Sequence, residues 1–306
     1  MSPTRLFVVA MLVLVTVSAQ RASAFCRITT DDDAVCGESG VPVFWSTACL
    51  SYAVDFEGSQ WMSQQEARDA IDGGFGAWAN VTCGGQPTDF QFLRQEDSVC
   101  ATFEYNSSGG NVNTIAFLDP WVDPRNGLDF EPLALAITSV TRNLDTGEIL
   151  DVDMLINDTS PLGDCLEQDP CTAFDLESIV THEAGHFLGF DHSPFADATM
   201  AAVPPSVANV ELRSLEQDDR NALCETYAPG SFDAICSEAD FEPRGGLELN
   251  CVEPSDPSSG GGGCSATGPS SGSGAQHWAW LLVGLAWIRK RACSLRSVEA
   301  IEPNRS

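Results

Sequence analysis

Apolar residues recur every three or four positions between Ala67 and Trp78, with polar residues between them. This period is that of an amphipathic helix. Ser63 and Glu66 stand just before the repeat and form the pattern of a capping box, which marks a helix start. We therefore predict a first helix over residues 63–80, although the glycines inside it lower its intrinsic stability.

Two further helices are predicted nearer the C-terminus. An apolar stripe that includes Ile179 and Phe187 begins after Asp175 and predicts the second helix. Residues 214–217 form another capping pattern, and the helix that they open is expected to end near Tyr227.

Runs of β-branched and aromatic residues predict the strands. Four short runs, separated by polar and Gly-rich segments, lie at residues 41–55, 90–92, 101–105 and 114–118. Residues 133–142 and 149–156 are joined by a turn that contains Gly147, and this pattern is typical of a β-hairpin. Because most strands precede the second and third helices, we predict an α+β domain.

The N-terminal end of the 306-residue chain has the pattern of a secretory signal peptide. Arg5 precedes an apolar run, and the small residues at 22–24 form a cleavage site, so residues 1–24 are expected to be removed. The mature chain would then begin at Phe25. The protein is accordingly expected to be secreted or displayed on the cell surface.

The cysteines agree with export. Ten of the twelve lie between residues 25 and 251, an even number that permits up to five disulfides in an oxidising compartment. Sequence proximity suggests the pairs Cys165 with Cys171 and Cys236 with Cys251. A Cys-rich zinc site is the alternative, but the CxxC spacing that would favour it is absent.

The formal net charge is −29, from 44 acidic and 15 basic residues. Such a chain repels phosphate backbones and anionic membrane surfaces, so nucleic acid is excluded as a partner of the domain. The acidity is most simply that of a soluble exported surface. Ca²⁺ binding is the second interpretation, because carboxylates suit that ion, although no EF-hand pattern is present.

The composition changes after Cys251. Residues 252–274 are rich in Gly, Ser and Pro and predict a stalk, which separates a domain at 25–251 from a C-terminal segment at 275–306. The apolar run in that segment spans only about 21 Å as a helix, against about 30 Å for a bilayer core. A basic cluster at 289–291 follows it.

Three of the four histidines fall within eleven residues. On a helix, His182 and His186 are four residues apart and share one face, with Glu183 beside them. Gly189 can adopt a left-handed conformation that turns the chain and returns His192 to the same point. Three imidazoles suit Zn²⁺ and leave a coordination position for water, which is typical of a catalytic site.

Glu183 follows the first histidine by one residue, so we expect its carboxylate to act as the general base for that water. The motif therefore predicts a zinc-dependent hydrolase. Its rival is a non-catalytic zinc-binding adhesion or recognition module, and a simple core or surface role for the histidines is the least specific interpretation.

Residues 182–192 resemble the extended zinc-binding motif of metzincin metalloproteases, and the segment that ends at Ser193 resembles the matrixin subgroup. Met200 matches the Met-turn methionine, which underlies the zinc without binding it. Asp219, in a segment similar to the matrixin closing helix, would form buried hydrogen bonds near that turn. The similarity covers residues 41–229 and is dense from residue 175 onward.

The resemblance implies a twisted, mostly parallel five-stranded sheet with three main helices. It also implies a monomeric zinc endopeptidase that takes an extended protein or peptide substrate along the edge strand of the 133–156 hairpin. Animal matrixins usually bind a second zinc through further histidines, whereas only His277 remains here. Cys36 could imitate the family's inhibitory cysteine switch, although the even cysteine count favours a disulfide.

The C-terminal end is similar to the sorting signal of myxobacterial exported proteins. Cys264, a Gly/Ser spacer, an apolar run and a basic cluster carry this likeness, which implies processing near the cysteine and anchoring at the cell surface. The tail after Arg291 is longer than is usual for that signal. A simple membrane tail anchor is the alternative.

Overall fold

The computed structural model describes residues 25–99, 103–202, 205–232 and 235–250, and also the backbone of 297–300. The strands are β1 (Cys26–Arg27), β2 (Cys49–Val54), β3 (Thr82–Cys83), β4 (Gln86–Pro87), β5 (Gln91–Arg94), β6 (Thr114–Leu118), β7 (Ala136–Arg142), β8 (Ile149–Asn157), β9 (Leu162–Gly163), β10 (Phe174–Asp175), β11 (Phe190–Asp191) and β12 (Ser297–Ala300). The helices are α1 (Gln64–Ala79), α2 (Leu176–Phe187) and α3 (Gln217–Thr226), with 3₁₀ turns at Glu211–Arg213 and Glu238–Phe241.

Five strands form the main sheet in the order β5-β2-β6-β8-β7. The first four are parallel to one another, and β7 runs antiparallel to β8. This confirms the predicted α+β fold with a mostly parallel five-stranded sheet and three helices. The short segment β12 pairs antiparallel with the outer edge of β7.

The predicted hairpin is β7 and β8. Ala136 lies opposite Ile156 and Val140 lies opposite Val152 in an antiparallel register. Gly147 in the connecting turn has φ of +79°, and a Cβ there would lie 2.5 Å from the Pro42 carbonyl oxygen. Only glycine meets both conditions without strain, so the turn residue expected from the sequence is the one that the fold requires.

Helix α1 packs directly on α2. The predicted capping box is present, since Glu66 N–H donates to Ser63 Oγ and Ser63 N–H donates to the Glu66 carboxylate. A Cβ at Gly74 would lie 2.7 Å from Val180 Cγ1 and 2.9 Å from Thr181 N. The glycine that weakens α1 as an isolated helix therefore allows the two helices to approach closely.

The sheet separates two apolar clusters. The larger cluster lies between the sheet and the helices, where Phe75, Trp78 and Phe187 are almost fully buried. The smaller cluster lies on the opposite face, where Trp121 packs with Ile137 and Leu155. Alternate residues of β7 contribute to these two faces, because successive strand side chains point in opposite directions.

Three local predictions need correction. The run at 41–55 forms a regular strand only from Cys49, and residues 103–105 of the expected strand at 101–105 are irregular. Helix α3 begins at Gln217 rather than at the predicted capping pattern. Glu216 N–H donates to the buried Asp219 carboxylate at 2.8 Å, while the Ser214 hydroxyl bonds Glu211 O instead.

Four disulfides join the described cysteines, Cys26–Cys36, Cys49–Cys236, Cys83–Cys224 and Cys165–Cys171. The predicted Cys165–Cys171 pair is confirmed. The predicted Cys236–Cys251 pair is wrong, because the fold brings Cys236 to the start of β2. Cys36 is engaged by Cys26, and this excludes the cysteine switch.

Among the described residues, no helix has both the length and the apolar character needed to cross a membrane. The expected signal peptide at 1–24, the stalk at 252–274 and the apolar run at 275–288 all lie outside the described residues.

Candidate metal centre

Helix α2 carries the first two histidines of the site. Its N-terminus is capped by Asp175, whose carboxylate accepts the Ser178 N–H at 2.9 Å. His182 and His186 follow one helical turn apart, with ring centroids separated by 4.9 Å. Both are buried, at 1% and 0% exposure. The helix therefore presents two imidazoles on one face, as their spacing predicts.

The third histidine returns to this face through a glycine turn. Gly189 has φ of +90°, and a Cβ there would lie 2.9 Å from Val43 Cγ2. The chain then enters β11, which pairs with β1 and leads to His192. Each of the three histidines offers a nitrogen, and these atoms lie within 4.8 Å of one another. The structure thus brings the predicted ligands together.

Backbone carbonyls orient two of the imidazoles. Nδ1 of His182 bonds Thr199 O at 2.7 Å, and Nδ1 of His186 bonds Phe190 O at 2.8 Å. Because a carbonyl oxygen only accepts, each Nδ1 carries a proton, and the lone pair of a neutral ring is then on Nε2. This is how a protein prepares histidines to bind a metal.

His182 is held neutral. Burial, together with the nearby rings of His186 and His192, keeps its pKa well below the usual value. Its Nε2 atom is buried and makes no hydrogen bond to described protein atoms. A buried nitrogen without a partner is costly unless a ligand occupies its lone pair. The site therefore fits a metal ion that prefers imidazole, and Zn²⁺ is such an ion.

Met200, the predicted Met-turn residue, packs against α2 beside the histidines. It is 2% exposed, and its side chain packs against Gly185, between His182 and His186 on α2. Asp219 accepts the N–H groups of Thr199 and Met200 at 2.8 and 3.0 Å. Burial raises the pKa of Asp219, although these N–H groups oppose the rise. Asp219 thus has the expected buried hydrogen-bonding role.

Glu183 is fully buried beside the histidines. Its Oε2 accepts a hydrogen bond of 2.5 Å from the hydroxyl of Thr138 on β7. Glu183 does not belong to the described group whose ligand atoms converge, which contains only the three histidines. Its carboxylate oxygens therefore do not belong to the ligand group that the three histidines form.

Tyr227 joins the end of α3 to the turn that follows α2. Its hydroxyl donates to Leu188 O at 2.8 Å and accepts the Trp45 N–H at 3.1 Å. Burial raises its pKa to about 12, so the hydroxyl keeps its proton at neutral pH. The bond to Leu188 O helps to hold the backbone just before Gly189, where the chain turns toward His192.

The loop at 201–212 follows the Met200 turn. Its described residues line an open cavity of about 490 Å³ beside the Met200 turn, together with residues 196–198. Ala201 and Pro205 form buried parts of the lining, whereas Asp197 and Glu211 are exposed. The cavity is a candidate pocket for one substrate side chain.

Sequence reasoning did not identify three supporting positions. Thr138 is an ordinary strand residue by pattern, Gly185 is part of a motif without an obvious role, and Thr199 acts through its carbonyl. No motif in the neighbouring sequence predicts these roles, because each depends on a contact between segments that are distant in the chain. A glycine inside an otherwise apolar helix, such as Gly185, is the one hint that the sequence offers.

Comparison with known proteins agrees with this site. Residues 131–228, which include all three histidines, match the Matrixin family model. Over 66 residues the chain is 39% identical to "Metalloendoproteinase 1" of Glycine max, covering 21% of either chain. Over 218 residues it is 26% identical to "Matrix metalloproteinase-C" of Caenorhabditis elegans, covering 70% of this chain and 33% of the relative.

The chain thus spans about a fifth and a third of the lengths of these two relatives. The matches support a matrixin-like catalytic domain in this part of the chain. The disulfides are in keeping with an extracellular setting.

Proposed function

We propose that this protein is an exported, zinc-dependent endopeptidase of matrixin type. The observation that carries the proposal is the convergence of three buried imidazole nitrogens beside the buried carboxylate of Glu183. His182, His186 and His192 would hold the ion. A bound zinc supplies Lewis-acid chemistry and lowers the pKa of water from about 15.7 toward 7.

The chain's own residues would supply the proton transfers. Glu183 takes the proton of the attacking water and then delivers it to the leaving amine, so that the carboxylate is regenerated. Thr199 O and Phe190 O keep the imidazoles of His182 and His186 in one tautomer. Burial of the site strengthens these electrostatic interactions, because the local dielectric is low.

The substrate would be an extended peptide placed along the outer edge of β7, with one side chain in the cavity bounded by residues 201–212. In the structure, β12 pairs with that same edge. An extended substrate would therefore have to displace Ser297–Ala300 before pairing with β7.

Glu183→Gln tests the mechanism. The amide keeps the shape of the side chain but accepts no proton at neutral pH, so we expect the peptidase rate to fall by about 100-fold or more. Bound zinc, measured by elemental analysis, should remain at one ion per chain. Cleavage of a fluorogenic peptide library and of casein, with and without a chelator and zinc re-addition, gives the rate.

Glu225→Gln, an exposed carboxylate on α3, is the matched control and should keep full activity. Full activity of Glu183→Gln would contradict the role of Glu183. Zinc binding by the wild type without cleavage of any peptide would favour the alternative, a non-catalytic zinc-binding adhesion or recognition module.

We further propose that the mature chain begins near Phe25 and is tethered to the cell surface through its C-terminal segment. The apolar run and basic cluster beyond the stalk motivate this part of the proposal. Mass spectrometry of the native protein's termini tests it. A C-terminus near Cys264 supports sorting, a full-length C-terminus supports a tail anchor, and release into the medium with an intact tail contradicts both.

A further inference from the structure

We propose that Thr138 is a positioning residue that holds the Glu183 carboxylate in the orientation needed for proton transfer. The inference rests on the proposed function, since it gives Glu183 the role of general base. It adds a residue from the sheet to a site that is otherwise built from α2 and the segments that follow it.

The contact is direct and buried. Thr138 Oγ1 lies 2.5 Å from Glu183 Oε2 and 3.4 Å from Glu183 O. The hydroxyl carries the proton, because a carboxylate only accepts, and a bond of this length to a charged oxygen is strong. Thr138 is 1% exposed and Glu183 is 0% exposed, so bulk water does not compete for the contact.

The strand fixes the hydroxyl relative to the helix. Thr138 lies opposite Met154 of β8, in the middle of the hairpin. Its neighbours on the same face, Ala136 and Val140, pack in the cluster beneath α2. A β-branched side chain has few χ1 rotamers, so a threonine here presents its hydroxyl in one direction with little loss of conformational entropy.

A glutamate side chain rotates about three bonds and can point its carboxylate away from the metal. The hydrogen bond from Thr138 to Oε2 restrains that rotation. Residues in such supporting positions change the activity or affinity of a metal site by about 10- to 100-fold when they are replaced. We therefore assign Thr138 to the orientation of the base, not to contact with the substrate.

The simpler interpretation is that Thr138 only satisfies a buried carboxylate and so stabilises the fold. Three variants separate the two roles. Thr138→Val keeps the shape and removes the hydroxyl, and Thr138→Ser keeps the hydroxyl and removes a methyl group. Thr88→Val is the control, because Thr88 is also a buried threonine but lies just before β5, at the opposite edge of the main sheet from β7.

The first readout is steady-state kinetics with a peptide substrate. We expect Thr138→Val to lower kcat by about 10- to 100-fold with KM within about twofold, and Thr138→Ser to restore kcat to within about threefold of wild type. Thr88→Val should leave both constants unchanged. A wild-type kcat for Thr138→Val, a change confined to KM, or an equal loss in Thr138→Ser would overturn the proposal.

The second readout does not require catalysis. The zinc is replaced by Co²⁺, and binding of acetohydroxamate and of azide is followed by the visible spectrum. Acetohydroxamate can donate a hydrogen bond to a neighbouring carboxylate, whereas azide cannot. We expect Thr138→Val to weaken the binding of acetohydroxamate by about fivefold or more, which corresponds to the loss of one hydrogen bond. The affinity for azide should be unchanged.

The two proposals can fail separately. If the wild-type protein cleaves no peptide, the proposed function fails, and the acetohydroxamate series still decides whether Thr138 orients Glu183. Equal acetohydroxamate affinity in wild type and Thr138→Val would overturn the positioning role even in an active peptidase. Thermal unfolding of each variant shows whether a loss of activity or of ligand affinity is caused by destabilisation of the fold instead.

Discussion

Gly185 shows how one residue links the histidine helix to the turn beneath it. A Cβ at this position would overlap Met200 Sδ and would lie 2.8 Å from Trp78 Cζ2. Both neighbours are almost completely buried. The absence of a side chain at 185 therefore lets Met200 approach α2 between the two histidines.

Gly185→Ala should destabilise the protein. Alanine favours a helix over glycine by about 1 kcal/mol, but overpacking of a buried contact costs about 1 to 3 kcal/mol. Because both Met200 and Trp78 would have to move, we expect the overpacking to dominate. Urea or thermal unfolding of the metal-free protein measures the change.

Gly76→Ala is the matched control. Gly76 lies inside α1, where the nearest atom to an added Cβ is Asn80 Nδ2 at 3.9 Å. The higher helix propensity of alanine should be the main effect there, and it should raise the free energy of unfolding by up to about 1 kcal/mol. Stabilisation by both substitutions would mean that Met200 moves freely and does not support the site.

At the scale of elements, an ion cluster holds the start of α2. Arg213, in the 3₁₀ turn before α3, contacts Asp175 and Glu177 at 2.5 and 2.6 Å. It also contacts Asp164, which directly precedes the loop closed by Cys165–Cys171, at 2.6 Å. One guanidinium thus joins the loop, the cap of the histidine helix and the segment that follows the Met200 turn.

The cluster predicts a pH-dependent contribution to stability. Burial by itself would raise the pKa of Asp175, but hydrogen bonds from Arg213, Cys165 N–H and Ser178 outweigh it and leave the pKa below its usual value. A carboxyl group with a depressed pKa stabilises the fold above its unfolded pKa of about 4, and the effect is lost as pH falls through the folded pKa.

Arg213→Met should therefore lower the free energy of unfolding at pH 7 by about 2 kcal/mol, because it leaves Asp175 buried with fewer partners. The difference from wild type should shrink as the pH falls below about 4. Urea unfolding between pH 3 and 7 measures both quantities. If the loss of unfolding free energy stays constant with pH, the packing of the Arg213 side chain, not its charge, stabilises the fold.

Arg244→Met is the control for this series. Arg244 pairs with Glu148 at 2.5 Å, but its side chain is 52% exposed. Exposed ion pairs contribute between about 0 and 1 kcal/mol, so the substitution should have a small effect throughout the pH range.

At the scale of the whole molecule, disulfides join segments that lie far apart in sequence. Cys49 and Cys236 are separated by 187 residues, and Cys83 and Cys224 by 141. Crosslinks over such long loops reduce the conformational entropy of the unfolded chain. In the loop-entropy model, each one raises the free energy of the unfolded state by about 4 to 5 kcal/mol. They tie the segment after α3, and α3 itself, to the N-terminal half of the fold.

Peptide mapping of the native exported protein without reduction should recover Cys26–Cys36, Cys49–Cys236, Cys83–Cys224 and Cys165–Cys171 as linked pairs. The expected result follows from export to an oxidising compartment. Alkylation of Cys36 before reduction would contradict it, since that residue would then carry a free thiol near the N-terminal strand.

Several local features of this protein could be predicted from the sequence. The spacing of His182 and His186, the glycine at 189 and the hairpin turn at Gly147 all carry information within a few residues. Helix periodicity and positive-φ turns are properties of short segments, so the pattern predicts them without knowledge of the fold. The three-helix, five-stranded architecture followed from the family resemblance that the histidine motif revealed.

The amino-acid sequence by itself thus determined the convergence of three histidines, the adjacent glutamate and the class of fold. Only the tertiary structure decided that Cys236 joins Cys49, that Met200 needs Gly185, and that Thr138 contacts Glu183. Each of these contacts joins segments that are distant in the chain. Such pairings depend on how helices and sheet pack together, and no local period or spacing encodes that packing.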